Sequence, residues 1–348
     1  MPKTSSDQRV RYAVVGLGHI SQTAVLPAFE QTNDAEICAL VSRDEAKRNR
    51  LAQRYGVDVT GTSEELERVL RESRADAVYI ATNTTSHRAY TERAANAGLH
   101  VLVEKPMAPS VDDCRAMIAS CKAAGVKLMV AYRLHFDEAS LDAITIVRAG
   151  QIGVPRLFMS VLSSPVQDAD ARTQRRFAGG AAHDLGVDPI NTARHLFGAE
   201  PIAAFSASTR GQHGLRDVDA TTSATLVFDD ERMAQFSVSL ATSGVSSYRL
   251  LGDKGDLRLE PAYAHDAPLR HVLTIGPNSV ERRFIQRDQF AAQIRAFSRA
   301  IRDGADIGPT GEEGLADVRV VEALVESQRT GRLVDLPRSP HVGRSAWS

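Results

Sequence analysis

The stretch AHDLGVDPINTARH, residues 182–195, places two acids four positions apart, Asp184 and Asp188, between His183 and His195. On one continuous helix Asp184, Asp188, Asn191 and His195 would share a face, because side chains at i, i+4, i+7 and i+11 align. Three chemistries fit those residue types. A metal site needs neutral imidazole and carboxylates converging on one ion, and no second helix offers an H-x-x-x-H or E-x-x-H partner, so no metal is expected. A structural reading makes Asp188 an N-cap followed by Pro189 at the first helical position, which would bend or restart the helix. An acid–base reading makes Asp184 and Asp188 a coupled pair, in which repulsion raises one carboxyl and lets it donate a proton. A carboxyl titrating near about 4 matches alcohol and ketone chemistry at neutral pH poorly, so such a pair would need a further proton carrier. His183 is no substitute, since adjacent helical side chains point about 100° apart.

The elements that must hold such residues fall into two rhythms. Up to about residue 135 short apolar runs alternate with helical patterns: YAVVGLG, EICALVS, AVYIA, HVLVE and VKLMVAY are separated by helical segments. That alternation predicts βαβ units and a parallel sheet covered on both faces. Beyond about residue 150, MAQFSVSL alternates strictly, with Ala234, Phe236, Val238 and Leu240 on one face and Gln235, Ser237 and Ser239 on the other. TSATLVF, YRLLG and DLRLE read as further strands, and GDKGD (252–256) as the turn between two of them. This half predicts a mostly antiparallel sheet with one buried face. Helices near 182–197, 287–302 and 311–330 should cover that face, the last stopping at Gly331. The expected fold is α/β: a Rossmann domain over residues 1–134, then an α+β domain over 135–348.

In VVGLGHIS, Gly16 and Gly18 follow a strand and open a helix. Gly16 permits the tight turn, and Gly18 lets a pyrophosphate reach the backbone and the positive helix N-terminus. Ser21 holds the third fingerprint position, where a small residue lets helix and strand pack. With a βαβ series behind it, this reads as a dinucleotide site. The second strand ends VSRDEAKR, where Ser42 and Arg43 offer a hydroxyl and a guanidinium suited to a ribose 2′-phosphate. NADP(H) is therefore expected over NAD(H); in the other reading Asp44 takes the acidic role on the ribose. His19, Ile20, Thr82, His87, Glu104, Lys105 and Arg133 complete the cofactor-contacting set expected from the sequence.

Composition excludes several classes. In 348 residues, 42 Lys and Arg balance 43 Asp and Glu, so no global field draws the chain to nucleic acid or an anionic membrane. No apolar run reaches the ~18 residues needed to span a bilayer. MPKTSSDQRV lacks an apolar leader core, and Cys38, Cys114 and Cys121 show no CxxC spacing, so a cytoplasmic protein with reduced thiols is expected.

The order GxGxxS, then VEKPMAPS (103–110), AYRLHFD (131–137) and GGAAHDLG resembles the Gfo/Idh/MocA oxidoreductase family, nearly end to end, through INTARHLFGAEP and GEEGLADVRVVEALVESQRTGR. Within it the chain most resembles glucose–fructose oxidoreductase and NADP-dependent xylose and glucose dehydrogenases. The resemblance implies hydride transfer at a sugar or cyclic polyol carbon, the substrate lying between nicotinamide and the second domain. It also implies a large open sheet whose outer face builds a homodimer or homotetramer. It makes Lys105 a substrate-contacting residue, which the residues also support. A lysine at the C-terminal end of a parallel strand projects into the crevice where such sheets bind ligands, holds a hydroxyl and exchanges its proton. Glu104 would orient Lys105 or the nicotinamide, and Pro106 would fix the turn.

His87 matches a histidine near the cofactor end of the sheet, though a plain helix-start histidine fits as well. Tyr132 and Arg133 match an active-site pair, with a structural role equally open for Arg133. Asp184 matches the aspartate of a D-x-x-x-H/Y pair, and Asp188 stands where relatives carry His or Tyr. Ala171–Arg172 stands where relatives carry Trp–Arg, the only tryptophan being Trp347, so substrate shape does not carry over and a coupled two-sugar reaction is not expected. An NADP(H)-preferring aldose or polyol oxidoreductase with Lys105, Asp184 and Asp188 as catalytic residues follows. The alternative is a catalytically silent nucleotide- and sugar-sensing regulator.

Overall fold

The computed structural model describes residues 9–166, 171–211, 215 and 217–342. The N-terminal stretch MPKTSSDQ, Trp347 and the side chain of Ala171 lie outside the described residues. The chain divides into two compact units, one of Met1–Ala108, Asp112–Arg133 and Asp288–Leu315, the other of Pro109–Val111, Leu134–Arg287 and Ala316–Ser348.

The first unit is built on six parallel strands, β1 (Val10–Val15), β2 (Ala35–Val41), β3 (Val59–Gly61), β4 (Ala77–Ile80), β5 (His100–Val103) and β6 (Leu128–Val130). Their order is β3-β2-β1-β4-β5-β6, the doubly wound arrangement expected. The continuous apolar runs have the predicted cause: Tyr12, Ala13, Val14, Leu40, Val78, Ile80, Leu102 and Val103 are all buried. Helices α1 (Leu26–Glu30), α2 (Glu45–Tyr55), α3 (Leu66–Ser73), α4 (His87–Asn96) and α5 (Val111–Ala123) connect them. The sequence order reverses between β1 and β4, and the crevice beyond their C-terminal ends is where such sheets take ligands.

The second unit contains α6 (Glu138–Arg148), β7 (Pro155–Ser163), α7 (Ala181–Asp184), α8 (Val187–Phe197) and strands β8 (Ala203–Arg210), β9 (Asp219–Val227), β10 (Met233–Ser239), β11 (Val245–Gly252), β12 (Gly255–Leu259), β13 (Arg270–Ile275) and β14 (Asn278–Arg283). Nine strands form one sheet, mostly antiparallel, with β7 and β10 paired in parallel. Alternation decides its faces. Phe158, Ala234, Phe236, Val238 and Leu250 enter one core with Ile190, Leu196 and Leu324, while Met159 and Val161 point the other way.

Two expectations need correction. The helix near 287–302, α9 (Gln289–Asp303), belongs to the first unit and packs on β1, β2 and α1 instead of covering the large sheet. Its apolar stripe of Phe290, Ile294 and Phe297 reveals that one face is buried, but periodicity cannot say against which sheet. Where two continuous domains were expected, the first unit runs to Arg133 with Pro109–Val111 left out and also takes in Asp288–Leu315. After that return, α10 (Gly311–Thr330) ends at Gly331 (φ +66°), as expected, and β15 (Val334–Asp335) closes the sheet.

Candidate active site

The glycine turn is shaped for a nucleotide. Gly16 has φ +95°, and a Cβ there would stand 2.4 Å from the Ala81 carbonyl oxygen and 2.9 Å from the Thr82 methyl. Only glycine fits where β1 passes the end of β4 so closely. A Cβ at exposed Gly18 would meet no protein atom within 4 Å, so the space over its backbone is open on the side from which a pyrophosphate would come. His19 is exposed and Ile20 half-buried at the start of the following helix. Buried Ser21 ties itself down, its hydroxyl donating to the Gly16 carbonyl at 2.6 Å. The turn therefore fits a bound dinucleotide.

At the tip of β2, Asp44 is occupied by the helix that follows. Its carboxylate caps α2, accepting from the Lys47 amide at 3.0 Å, and pairs with the Lys47 ammonium at 3.1 Å. Ser42 accepts from the Asp44 amide at 3.3 Å, and Arg43 is exposed beside it.

Lys105 follows the end of β5, and its peptide bond to Pro106 is cis. Glu104 holds the loop from inside: one carboxylate oxygen accepts from the Tyr79 hydroxyl at 2.8 Å, the other from the Lys105 amide at 3.3 Å. Burial raises the Glu104 pKa, while the Tyr79 hydrogen bond and the Lys105 and Arg133 charges pull it down. His87 is buried, with Nδ1 3.2 Å from the Met107 carbonyl oxygen and Nε2 3.2 Å from that of Thr82. Burial lowers its pKa, and a neutral ring donates through only one nitrogen, so one of these contacts is the hydrogen bond. The ring thus braces the end of β4 against the loop that carries Lys105. Arg133 donates to Gln289 at 2.6 Å and lies over the Phe290 ring at 6.0 Å, both at the start of α9. Tyr132 is buried.

In the second unit Gly179 and Gly180 lead into α7. A Cβ on Gly180 (φ +122°) would collide with the Asp219 carboxylate, which accepts from the Ala182 amide at 2.7 Å and from Thr222 at 2.6 Å. Asp219 thereby fixes the turn that presents Asp184, itself 3.7 Å from the Arg172 guanidinium. The single continuous helix is not what forms. α7 stops at Asp184 and α8 starts at Val187. Pro189 has no amide proton to give the Leu185 carbonyl four residues back, and its ring would crowd that oxygen, so the helix breaks there. Asp188 is not the N-cap: Gly186 is, and Asp188 lies buried in the first turn of α8. Nearby, burial and the Asp188 charge hold the Tyr263 phenol protonated against the opposing hydrogen bond with Ser160 at 2.9 Å. Neither Asp219 nor the Tyr79–Glu104 contact was found from sequence.

A doubly wound sheet with an open glycine turn, followed by a second α/β unit carrying a sheet, defines a nicotinamide-nucleotide-dependent oxidoreductase. The family model described as "Oxidoreductase family, NAD-binding Rossmann fold" matches residues 10–132, and that described as "GFO/IDH/MocA C-terminal domain" matches 141–258. The chain belongs to the Gfo/Idh/MocA oxidoreductase family. It is 31% identical over 331 residues to D-xylose 1-dehydrogenase (NADP(+)) 2 of Haloferax volcanii, covering 93% of this chain and 99% of that one. Among solved structures, aldose-aldose oxidoreductase from Caulobacter crescentus, complexed with glycerol, superposes with a TM-score of 0.89 at 33% identity, covering 94% of this chain and all (100%) of the other. A 3-ketoreductase from Actinomadura kijaniata in complex with NADP gives 0.84 at 25% identity, with 92% and 98% covered. Among the described residues no helix is long and apolar enough to cross a membrane.

Proposed function

We propose that this enzyme moves a hydride between NADP(H) and a CH–OH carbon of an aldose or related cyclic polyol. The observation that carries this reading is Lys105, held at the C-terminal end of β5 by the half-buried Glu104, in a sheet whose glycine turn fits a dinucleotide. Sugar chemistry is supported by the relatives, a xylose dehydrogenase and an aldose oxidoreductase among them. Preference for NADP is supported by Asp44, whose carboxylate serves α2, leaving Ser42 and Arg43 for a 2′-phosphate.

Gly16, Gly18, His19, Ile20 and Thr82 would hold the dinucleotide; when bound, it accepts or gives the hydride at the nicotinamide ring. In the oxidative direction the substrate C–H bond supplies that hydride while neutral Lys105 takes the hydroxyl proton, leaving a carbonyl and an ammonium. The reductive direction returns both. We assign Asp184 to substrate hydroxyls. Asp188 stands where a His or Tyr is expected, which leaves the proton transfer to Lys105.

The direct test loads the protein with NADP⁺, with NAD⁺ as control, and follows nicotinamide absorbance against a panel of aldoses and cyclic polyols. Reduction by one sugar class, faster with NADP⁺, is the expected result. Binding without reduction by any of them sinks the dehydrogenase reading and leaves a sensor. Lys105→Ala should then cost about 10²–10⁴-fold in turnover while leaving NADP⁺ affinity within a few-fold.

The nine-stranded sheet supports assembly as a homodimer or homotetramer. Its outer face exposes Met159, Val161, Phe205 and Met233, an apolar set unusual for open solvent.

A further inference from the structure

The centre of the first unit holds polar groups that the hydride-transfer reading does not use. Tyr79 on β4 and Gln293 on α9 are fully buried among apolar side chains. Gln293 Nε2 donates to the Tyr79 hydroxyl at 3.2 Å, and that hydroxyl donates to Glu104 at 2.8 Å. In this arrangement the amide nitrogen donates, so the phenol accepts from it and spends its own proton on the carboxylate, while Gln293 Oε1 is buried with no hydrogen-bond partner among the described residues. Donors in such a chain polarise one another, and all of it points at the residue next to Lys105. Burying a glutamine and a tyrosine hydroxyl costs stability that a phenylalanine and a leucine would not, so the sequence carries them for the far end of the chain.

We propose that Gln293 and Tyr79 form a buried relay that sets the position and ionisation of Glu104 and, through it, of Lys105. Both are positioning residues for the proton transfer. The inference rests on the role given to Lys105 above. The charged groups facing Glu104 are Lys105 on its own loop and Arg133 after β6; Tyr79 faces it from β4, with Tyr12 of β1 beyond. Gln293 brings a neutral amide from α9. Removing the Tyr79 hydroxyl takes a hydrogen bond from the carboxylate alone and favours its protonated form.

The experiment is the pH dependence of kcat and kcat/KM for Tyr79→Phe and Gln293→Leu, with the best sugar substrate and NADP⁺. Tyr79→Phe should lower kcat by about tenfold and move the limb set by ionisation of Glu104 upward by about one pH unit, the size of a lost charge-assisted hydrogen bond, without raising the limb set by Lys105. KM for NADP⁺ should stay unchanged. Gln293→Leu should move the limb in the same direction by less, and Gln293→Glu, whose carboxylate accepts and competes with Glu104 for the Tyr79 proton, should also move it upward and covers the case that the leucine variant fails to fold. Profiles that superpose on the wild type in every folded variant overturn the relay. If Lys105→Ala keeps full turnover, the assignment of Lys105 fails instead. If Lys105→Ala is dead while Tyr79→Phe keeps the wild-type profile, only the relay is wrong.

Discussion

Arg194 shows how a single residue can commit a region of this protein to one arrangement. It is fully buried in α8, donating through two nitrogens to Glu200 at 2.6 and 2.8 Å and through a third to Asp317. Asp317 also receives Asn191 at 2.8 Å, whose oxygen is 2.7 Å from the His135 ring. A guanidinium presents five donors in a rigid fork, so this cluster fixes the azimuth of α8 and hence which side chains face out of its first turn. Burial alone would raise the Glu200 pKa, but hydrogen bonds from His341 and Arg194 outweigh it and bring it down to about 2. A depressed carboxyl contributes stability that is present above its unfolded pKa and lost as pH falls towards the folded one. Between about pH 4.5 and 2 the protein should therefore lose roughly 3 kcal/mol through this group. Urea unfolding across that range reads the loss. Glu200→Gln should be less stable at pH 7 and flatter in its acid dependence, and an unchanged slope would remove Glu200 from the account.

At the scale of elements, the structure separates what pattern carries from what it cannot. The long apolar runs of β1, β2, β4, β5 and β6 were legible because both sheet faces are buried, and the clean alternation of β10 because only one is. β3, Val-Thr-Gly, is as short as β6 but carries one apolar residue where β6 carries three, so no apolar run marks it. The break between α7 and α8 lay in plain sight as Pro189, but the turn it disrupts lies four residues upstream, so the capping signal pointed to the wrong residue. The position of Lys105 just past a parallel strand and the shape of the glycine turn were legible through local chemistry. Tyr79 was not: it looks like one more large residue in an apolar strand, and its partner Gln293 is 214 positions away. The tip of β2 gives an element-scale prediction, because the proposed reading of a 2′-phosphate there rests on α2 having claimed Asp44. Arg43→Ala should raise KM for NADP⁺ about tenfold, a loss of ~1.4 kcal/mol, while leaving KM for NAD⁺ near wild type. Equal losses for both cofactors would mean that Arg43 serves the fold of the turn and reads no phosphate.

Across the whole molecule, charge is almost balanced, 42 cations against 43 anions, so a net field would not drive self-association, and the proposed assembly rests on surface shape and apolarity. The nine-stranded sheet supplies such a surface. Along β7 the residues facing inward are Phe158, Ser160 and Leu162, and those alternating with them, Met159 and Val161, are nearly half exposed at 46% and 45%. Across the ladder, Met159 lies between Gln235 and Arg249, and Val161 between Ser237 and Ser247. Apolar groups at the centre with polar ones around them match the anatomy of a subunit interface. A stable dimer needs about 800 Å² from each partner, an area that a sheet of this width can provide. Met159→Glu with Val161→Glu would place two buried carboxylates on each side of such an interface without touching the inward-facing core. Light scattering should then report a drop to half the wild-type mass or less, with the far-ultraviolet circular dichroism unchanged. A wild-type mass in the double variant would move the interface to another surface, since two unpaired charges per protomer at the middle of a closed interface cost several kcal/mol each.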